Sequence, residues 1–357
     1  MPHLQPARWS PGSSQRLPTR IDEVGMNLTS ELSNLEQLAK QALSNWDLQN
    51  AQLDLIKRRE NAVYRVTLPD GTQRALRVHR PDYHTDEELN SELLWMQALN
   101  EYGVHTPKVI ATADGSLFVR SKANGNAVSR QCDMLAWVDG SPLGSIEKGS
   151  KSDPSVLTDS YRTVGTIMAR LHNHSSQWLL PDGFARHAWD VDGIVGSNPV
   201  WGRFWELEAL TAAQVDLLQA AAEVVRHRLD QFGQGADRYG LIHADFLPEN
   251  LLADDGEIKL IDFDDAGFGW HLFDIATSVF FFLGEDEFDA VLTALVEGYR
   301  TERKMPDEHL DMLPTFLMAR GLTYIGWLHT RRETDAAQQL TPVVVRGVCA
   351  LAEDYCS

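Results

Sequence analysis

The amino-acid sequence predicts an α+β protein with two lobes, a small β-rich lobe followed by a larger and mostly helical one. The chain has 357 residues, which is long enough to form two hydrophobic cores. Between residues 53 and 140, short apolar runs alternate with turn signals, as in paired strands. After residue 140, apolar residues recur mainly at helical spacing. We therefore predict the β-rich lobe at residues 26–133, a hinge at 134–140 and the helical lobe at 141–357.

The N-terminal residues differ in composition from the rest of the chain. Residues 1–25 are rich in Pro, Ser and Arg and show no periodicity, which predicts a disordered tail. A helical pattern opens at Met26, with Thr29 or Ser30 as its expected N-cap. The sequence leaves open whether Met26 is the true first residue of the protein.

Composition excludes several classes of partner. With 51 acidic and 32 basic residues the formal net charge is −19, which argues against nucleic acid and anionic membranes as ligands. No apolar run reaches the length that crosses a bilayer. The three scattered cysteines fit reduced thiols in a cytoplasmic protein. Nothing in the sequence indicates an oligomeric state.

The β-rich lobe is predicted from hairpin and capping signals. Strands are expected near residues 62–68 and 74–79, on either side of a Pro69-Asp70-Gly71 turn, and in the runs KVIAT and SLFV. The intervening helix should begin after Thr85, because acidic residues fill its first turn, and should end at Gly103. The apolar run MLAWVDG then leads into the helical lobe.

The helical lobe contains two long amphipathic patterns, SVLTDSYRTVGTIMARLHNH and LTAAQVDLLQAAAEVVRHRLDQF. The aromatic stretch between them, from Trp178 to Trp205, has the composition of a loop. Three further helices are expected near residues 286–302, 309–331 and 339–355.

An acidic block interrupts this lobe. Residues 240–290 hold thirteen Asp and Glu but one basic residue, Lys259. Such crowding disfavours ionised carboxylates unless a positive charge lies among them. A short strand, Leu241-Ile242, should lead to Asp245, and a hairpin should follow Asn250 and end just before Asp262. Two carboxylates and one amide oxygen would then surround one point, and this ligand set suits Mg²⁺ better than Zn²⁺ or Ca²⁺.

The spacing of these residues is that of a phosphoryl-transfer site. His243-x-Asp245-x-x-x-x-Asn250 repeats the Asp-to-Asn interval of the protein-kinase catalytic loop, and Asp262-Phe263-Asp264 occupies the place of the metal-binding D-F-G. Single Asp and Asn residues on loops are usually turn formers, but the whole string between predicted strands is much more specific.

The string HADFLPENLL…IKLIDFDDAGFGWHLFDIA resembles the catalytic and metal motifs of the aminoglycoside phosphotransferase and choline kinase superfamily. The resemblance runs from about Asn61 to Trp327 and implies a bilobal protein-kinase-like fold. ENAVYRV is similar to the family's nucleotide-covering hairpin, RALRVHR to its third strand, and ELLWMQALNEYGVHTP to its helix C. The segments LRVHRPDYH, WGRFW and GWLHTR resemble the branch that holds type II homoserine kinases and the stress-response serine/threonine kinase.

The resemblance implies an ATP- and Mg²⁺-dependent kinase with roles for individual residues. Asp245 would orient the acceptor hydroxyl and take its proton, while Asn250 and Asp262 would bind Mg²⁺. Asp264 would be a further ligand, an acceptor-site carboxylate or a turn cap. The supporting residues would be His243, which braces the loop, and Asp274, which ties it to the helical lobe.

On the nucleotide side, the resemblance implies that adenine bonds the hinge at the Ala136 carbonyl and the Val138 N–H. The family's phosphate-binding lysine is replaced here by Arg77, as in choline-kinase-like members, with Glu92 as its expected ion-pair partner and Glu88 as the fallback. The covering loop lacks glycines, so that Asn61 and backbone N–H groups would contact phosphate.

The acceptor is predicted to be a small hydroxyl compound that carries an amine, such as an amino acid, an amino alcohol or an aminoglycoside. Candidate pocket residues are Asp190, Trp201, Arg203 and Trp327, although aromatic residues at such spacing are more often part of a core. Two alternatives remain at this point: a serine/threonine protein kinase of the stress-response type, and a nucleotide-binding module without catalysis.

Overall fold

The computed structural model describes residues 22–58, 61–122, 129–144 and 154–357. They form two compact units. The N-terminal unit consists of the described residues up to Gly140 together with Leu180–Ala185, and the C-terminal unit consists of the described residues of Ser141–Leu179 and Arg186–Ser357. Within the described residues, no helix is both long enough and apolar enough to cross a membrane.

The N-terminal unit is built on an antiparallel sheet with strand order β1-β2-β3-β5-β4. Its elements, in chain order, are α1 (Asp22–Ala42), β1 (Gln52–Arg58), β2 (Ala62–Thr67), β3 (Gln73–Val78), α2 (Asp86–Tyr102), β4 (Phe118–Lys122) and β5 (Ser129–Ala136). Buried side chains of α1, among them Leu38 and Ala42, share a core with strand residues such as Val66 and Leu76. Of the nucleotide-side residues predicted above, Arg77 lies on β3, Ala136 ends β5 and Glu92 lies on α2.

Several local predictions for this unit are confirmed. The β2–β3 hairpin has the expected position. Helix α2 begins with a capping box, in which the Thr85 side chain and Glu88 each accept from the other's backbone N–H, and Gly103 ends it in a left-handed conformation (φ 94°). These features depend on contacts between near neighbours, which a short stretch of sequence encodes.

Other predictions for this unit need correction. The run KVIAT forms no strand but one bridge, between Val109 and Leu135, because β4 already occupies that edge of β5. Strand β1 was not predicted. Helix α1 begins at Asp22, so that neither Thr29 nor Ser30 caps it, and the predicted end of the tail at residue 25 falls inside the helix. The other predicted tail residues, 1–21, lie outside the described residues.

The C-terminal unit is mostly helical with two small sheets, ordered β10-β9-β6 and β7-β11-β8. Its strands are β6 (Ser141–Pro142), β7 (Ala188–Trp189), β8 (Tyr239–Ile242), β9 (Leu251–Asp254), β10 (Glu257–Leu260) and β11 (Gly267–Trp270). Its helices are α3 (Pro154–Gln177), α4 (Val191–Val195), α5 (Ala212–Phe232), α6 (His271–Val279), α7 (Phe288–Glu302), α8 (Asp307–Leu310), α9 (Leu313–Thr330) and α10 (Asp335–Cys356).

Helix packing positions the loops of this unit. Helices α3 and α7 approach closely because Gly165 and Gly298 present no side chain at the contact. Helix α9 is buried on nearly all sides. The predicted hairpin after Asn250 is present as β9 and β10, and its turn at Asp255 and Gly256 has positive φ at both residues (45° and 86°).

Candidate active site

The predicted catalytic loop begins where β8 ends. Ala244 adopts a left-handed backbone (φ 62°), which turns the chain sharply between His243 and Asp245. Asp274 on α6 holds this turn, because its carboxylate accepts hydrogen bonds from the N–H groups of His243 at 3.0 Å and Ala244 at 2.6 Å. Burial raises the pKa of Asp274 to about 6, although the nearby His243 and these hydrogen bonds oppose the shift. The predicted tie between Asp274 and the loop is present.

His243 braces the loop from inside. Its Nδ1 accepts a hydrogen bond from the Asp245 backbone N–H at 3.2 Å, and its Nε2 lies 3.2 Å from the carbonyl of Ile261. Burial lowers the pKa of His243 to about 4, so that the imidazole is neutral near neutral pH. A neutral ring that donates from Nε2 and accepts at Nδ1 satisfies both contacts. This ring joins the catalytic loop to the strand end that carries Asp262.

The carboxylate of Asp245 is held at both of its oxygens. The side-chain amide of Asn250 donates to Oδ2 at 2.8 Å, and Nη2 of Arg320 lies 3.1 Å from Oδ1. Burial raises the pKa of Asp245 well above its usual range, and Arg320 opposes the shift. Neighbouring carboxylates raise the pKa further: Asp265, Asp262 and Glu249. A carboxylate with a raised pKa is better suited to accept a proton near neutral pH.

Asn250 and Asp262 fit a hard divalent cation. The Asn250 amide nitrogen is committed to the backbone and side-chain oxygens of Asp245, which leaves the amide oxygen as a ligand atom. The backbone carbonyl of Asn250 accepts from the N–H of Ile261 at 2.9 Å, so that Asp262 follows directly on a residue bonded to Asn250. Asp262 has a left-handed backbone (φ 69°) and an exposed side chain. An oxygen-only ligand set with few protein ligands is typical of Mg²⁺.

The two acidic residues after Phe263 are buried. Asp264 is 3% exposed, and its backbone carbonyl accepts from Arg186 at 2.6 Å. Asp265 accepts from two indoles: Trp201 donates to its Oδ1 at 2.9 Å and Trp189 to its backbone carbonyl at 2.8 Å. The role of Asp264 as a metal ligand stays a prediction. Sequence reasoning missed Asp265, since nothing in the local pattern separates it from its acidic neighbours.

Sequence reasoning also missed Arg320. Its side chain is fully buried in the middle of α9, and it reaches Asp245 across 75 positions of sequence. The guanidinium also donates to the Tyr324 hydroxyl at 3.0 Å. One signal was available: Arg320 is the only Asp, Glu, Lys or Arg between residues 312 and 330, in an otherwise apolar helical run. A lone charge in a buried helix requires a partner.

In the N-terminal unit, Arg77 lies between two buried carboxylates. Its Nη1 is 2.8 Å from Glu92, as predicted, and its Nε is 2.9 Å from Asp133 on the adjacent strand. His79 Nε2 lies 2.5 Å from the other oxygen of Asp133. Burial alone would raise the pKa of Asp133, but Arg77 and His79 outweigh it and lower that pKa. Sequence reasoning missed Asp133, whose link to Arg77 exists only through strand pairing.

The other predicted nucleotide-side residues lie near this sheet. The Asn61 side-chain oxygen accepts from the Arg80 N–H at 3.0 Å, an interaction that braces the start of β2. Ala136 ends β5 and donates its N–H to Lys108 at 2.7 Å. Val138 follows two residues later and is partly buried. Because the Ala136 N–H is already bonded to the Lys108 carbonyl, the carbonyl of Ala136 is the group that suits the predicted contact with adenine.

The four candidate acceptor residues lie in different environments. Trp201 is buried and bonded to Asp265. Asp190 caps α4 by accepting from the N–H of Gly193 at 2.8 Å. Arg203 is on the surface and bonds locally to Ser197 and Glu206, which makes a recognition role less favourable. Trp327 lies beside Arg331, with the guanidinium 5.3 Å from the ring centre. Of these four, Trp201 has the most direct connection to Asp245, since it stacks on Arg320 at 4.5 Å.

Comparison with known proteins finds one enzyme family and several similar kinases. A model of the phosphotransferase enzyme family matches residues 54–309. The solved structure of a microcompartment-associated aminopropanol kinase superposes with a TM-score of 0.77 at 37% identity, over 89% of this chain and 96% of that one. Amicoumacin kinase, solved with AMP-PNP and Ca²⁺, has a TM-score of 0.74 at 20% identity, over 92% and 96%. Homoserine kinase of Rhizobium johnstonii is 24% identical over 250 residues, 66% of this chain and 68% of its own.

These matches confirm the predicted superfamily and its protein-kinase-like α+β fold. They also confirm an enzyme of the kinase type that acts on hydroxyl groups. The family model covers more than half of the chain and includes Arg77, Asp245, Asn250 and Asp262. The chain therefore belongs to the phosphotransferase enzyme family.

Proposed function

We propose that this enzyme transfers the γ-phosphoryl group of ATP, with Mg²⁺, to the hydroxyl of a small amino alcohol. The observation that carries the proposal is the arrangement around Asp245, whose carboxylate is fixed by Asn250 next to the strand end that bears Asp262. Phosphoryl transfer requires little covalent help from the protein, which mainly positions the reactants and offsets charge. A fixed carboxylate next to oxygen ligands for a cation is suited to that task.

The proposed reaction assigns a proton acceptor to the chain. The acceptor hydroxyl gives its proton to Asp245 while its oxygen bonds the γ-phosphorus. The bond from that phosphorus to the oxygen bridging to the β-phosphate breaks, which yields ADP and the phosphorylated alcohol. Asn250 and Asp262 would hold Mg²⁺, which when bound offsets charge on the phosphates. His243 and Asp274 would keep the loop in place through the hydrogen bonds described above.

The proposed binding of ATP depends mainly on Arg77. Its guanidinium would contact the ATP phosphates, while Glu92 and Asp133 fix its orientation from two directions. The adenine would bond the hinge at Ala136 and Val138. Asn61, whose side-chain oxygen accepts from the Arg80 N–H, would help to position the phosphates.

The charge around Asp245 favours an acceptor that carries an amine. Asp265 and Glu249, which the proposed Mg²⁺ site does not use, lie near enough to raise the pKa of Asp245, so negative charge accumulates there. An ammonium group on the acceptor would offset that charge. Among amine-bearing alcohols, a short amino alcohol is the favoured class, because the aminopropanol kinase is 37% identical to this chain over 89% of its length.

A coupled assay of ADP release tests the proposal with a panel of acceptors: 1-amino-2-propanol, ethanolamine, homoserine, choline, an aminoglycoside and serine peptides. We expect Mg²⁺-dependent turnover to be highest with a short amino alcohol, and the phosphorylated product to appear by mass spectrometry. Phosphorylation of the protein itself or of peptides in preference to small alcohols would favour a protein kinase instead. Turnover of none of these compounds would contradict the proposal.

The role of Asp245 is tested by Asp245→Asn. The substitution keeps the shape of the side chain but cannot take up a proton in the same way, and general-base catalysis typically contributes about 10²- to 10⁴-fold. We expect kcat to fall by about that factor, with binding of Mg·ATP retained in calorimetry. Asp192→Asn, on an exposed carboxylate of α4, is the control. Loss of Mg·ATP binding together with activity would instead make Asp245 a structural or nucleotide-binding residue.

A further inference from the structure

The feature that the proposed reaction does not yet explain is the buried charge of Arg320. Its side chain has no exposed surface, and Asp245 is the carboxylate with which it pairs, at 3.1 Å. The guanidinium lies against three aromatic rings, with distances to the ring centres of 4.3 Å for Tyr324, 4.5 Å for Trp201 and 5.4 Å for Phe273. These rings leave the guanidinium little room to move.

If its role were stability alone, the buried ion pair of Arg320 with Asp245 would be an unfavourable arrangement. Among the described residues, Nε and Nη1 of Arg320 have no hydrogen-bond partner, although both are buried. A buried ion pair with unsatisfied donors often stabilises a protein less than an apolar replacement of similar volume would. The aromatic contacts recover part of that cost, since a cation over a ring is attracted to it. The arrangement therefore points to a role beyond packing.

The arrangement also leaves Asp245 able to react. A carboxylate has about four lone-pair sites, two on each oxygen. Arg320 occupies one site on Oδ1 and Asn250 occupies one on Oδ2. Each oxygen retains one site for an acceptor hydroxyl, while rotation of the carboxylate would break both contacts.

We propose that Arg320 is the positioning residue of the reaction, which fixes the orientation of Asp245 toward the acceptor hydroxyl from inside the helical core. This inference rests on the proposed function, in which Asp245 is the proton acceptor. Trp201 and Tyr324 act one step further away, because they hold the guanidinium in its plane. Arg320 touches neither nucleotide nor acceptor, and its effect passes through Asp245.

The kinetic test compares Arg320→Met, Arg320→Lys, Arg320→Ala and a matched control, Arg303→Met. Arg303 also makes tertiary contacts in the C-terminal unit, to Asn173 and to the carbonyls of Ala236 and Asp237. We expect Arg320→Met to lower kcat by about 100-fold, the scale of a misplaced reactive group, with KM for Mg·ATP unchanged. Arg320→Lys should recover part of the rate, and added guanidinium should partly rescue Arg320→Ala. The control should keep the wild-type kcat.

A merely structural role would produce a different pattern. It predicts that Arg320→Met lowers the melting temperature and the active fraction with normal kcat per active site, and that guanidinium does not rescue Arg320→Ala. This result would overturn the inference. A normal kcat in a well-folded Arg320→Met protein would overturn it as well. Titration with a tight nucleotide ligand counts the active sites.

A double-mutant cycle makes the test independent of the acceptor. Melting temperatures are compared for Arg320→Met, Asp245→Asn and the double variant. If Arg320 serves Asp245, its removal costs much less stability when Asp245 is already neutral, and it costs no further activity. Additive losses would overturn the inference. Hydrolysis of ATP, measured without any acceptor, allows the same comparison of kcat between variants. A wrong acceptor class would then be recognised separately from a wrong role for Arg320.

Discussion

At the scale of single residues, each of the two units holds a buried arginine beside carboxylates. Arg320 pairs with Asp245, and Arg77 pairs with Glu92 and Asp133. The ion pair of Arg77 with Glu92 is buried, since the two side chains are 7% and 0% exposed. A guanidinium can bond two carboxylates along different edges and still offer a donor to phosphate, which an ammonium cannot do with the same geometry.

We therefore expect Arg77→Lys to weaken the use of Mg·ATP. Loss of one charge-assisted hydrogen bond costs about 1.5–3 kcal/mol, so kcat/KM for Mg·ATP should fall by about 10- to 100-fold. Steady-state kinetics with varied Mg·ATP measure this. Arg120→Lys is the matched control, since Arg120 also joins a strand to α2, through Asp86, but on the surface. Equal effects of the two substitutions would contradict a phosphate-side role for Arg77.

Asp133 should also affect the use of Mg·ATP, because it orients Arg77. Asp133→Asn removes the charge that fixes Arg77 Nε and leaves His79 beside a neutral amide. We expect a higher KM for Mg·ATP with little change in kcat, because orientation of the phosphate-binding group is lost while the catalytic loop in the other unit is untouched. A lower kcat at unchanged KM would be inconsistent with this role.

At the scale of secondary-structure elements, the contact between α3 and α7 determines how the helical unit packs. A Cβ added at Gly165 would lie 2.0 Å from the carbonyl oxygen of Leu295, and one at Gly298 would lie 1.9 Å from that of Arg162. Both obstacles are backbone atoms, so that neither helix can yield by a change of rotamer. The two glycines set the distance between the helices from opposite sides.

Gly165→Ala should accordingly destabilise the enzyme. Overpacking typically costs about 1–3 kcal/mol, and the backbone contact places this substitution at the upper end of that range. Denaturant unfolding measures the loss of free energy. Gly240→Ala is the control, because its added Cβ would meet only ordinary contacts of 3.6 Å and beyond. A Gly165→Ala protein as stable as wild type would contradict the close approach.

Helices α3 and α6 contribute a pair of buried histidines to the C-terminal unit. His172 on α3 and His271 on α6 stack with their ring centres 4.3 Å apart, and His172 Nε2 lies 3.0 Å from Asp274. Burial lowers the pKa of both rings well below 6.5, and the charge of Arg303 adds to the effect. Two stacked imidazoles therefore remain neutral in the folded protein under conditions that protonate them in the unfolded chain.

These histidines should make stability depend on pH. Below pH 6.5 the unfolded state binds protons that the native rings do not, so this part of the stability is lost as pH falls. We expect the melting temperature of His271→Phe to decline less steeply than that of wild type as pH falls from about 7 to about 5. The raised pKa of Asp274 has the opposite sign, but both proteins share it. His227→Phe, on an exposed position of α5, should keep the wild-type slope.

At the scale of the whole molecule, the proposed binding of ATP should depend on the net charge of the chain. The chain has a formal net charge of −19, and ATP is a polyanion, so binding without a cation is opposed by repulsion. A ligand that binds only the native state stabilises it by mass action, by about 2.7 kcal/mol at 100 times its Kd. The metal should therefore be visible in the stability of the enzyme as well as in its activity.

Thermal unfolding tests this link directly. We expect Mg·ATP to raise the melting temperature and ATP with a chelator to raise it little. Asp262→Asn should remove most of the Mg²⁺-dependent increase. Asp255→Asn, in the turn between β9 and β10, should retain it. Equal stabilisation with and without Mg²⁺ would contradict the assignment of Asn250 and Asp262 as metal ligands.

The sequence by itself determined the features that depend on spacing along the chain. The capping box of α2, the β2–β3 hairpin and the hairpin after Asn250 arise from contacts between near neighbours. The interval from Asp245 to Asn250 likewise predicts the catalytic loop. The ion pair of Arg77 with Glu92 was also predicted, because the superfamily resemblance located both residues.

Only the tertiary structure decided which distant groups meet. Arg320 requires a carboxylate, yet the charge pattern of an acidic chain offers many, and the packing of α9 against the catalytic loop selects Asp245. Asp133 meets Arg77 because β3 and β5 pair in one register, and Asp265 meets Trp201 because the chain folds back over 64 positions. Long-range pairs of this kind depend on the shape of the closed fold, which local periodicity does not encode.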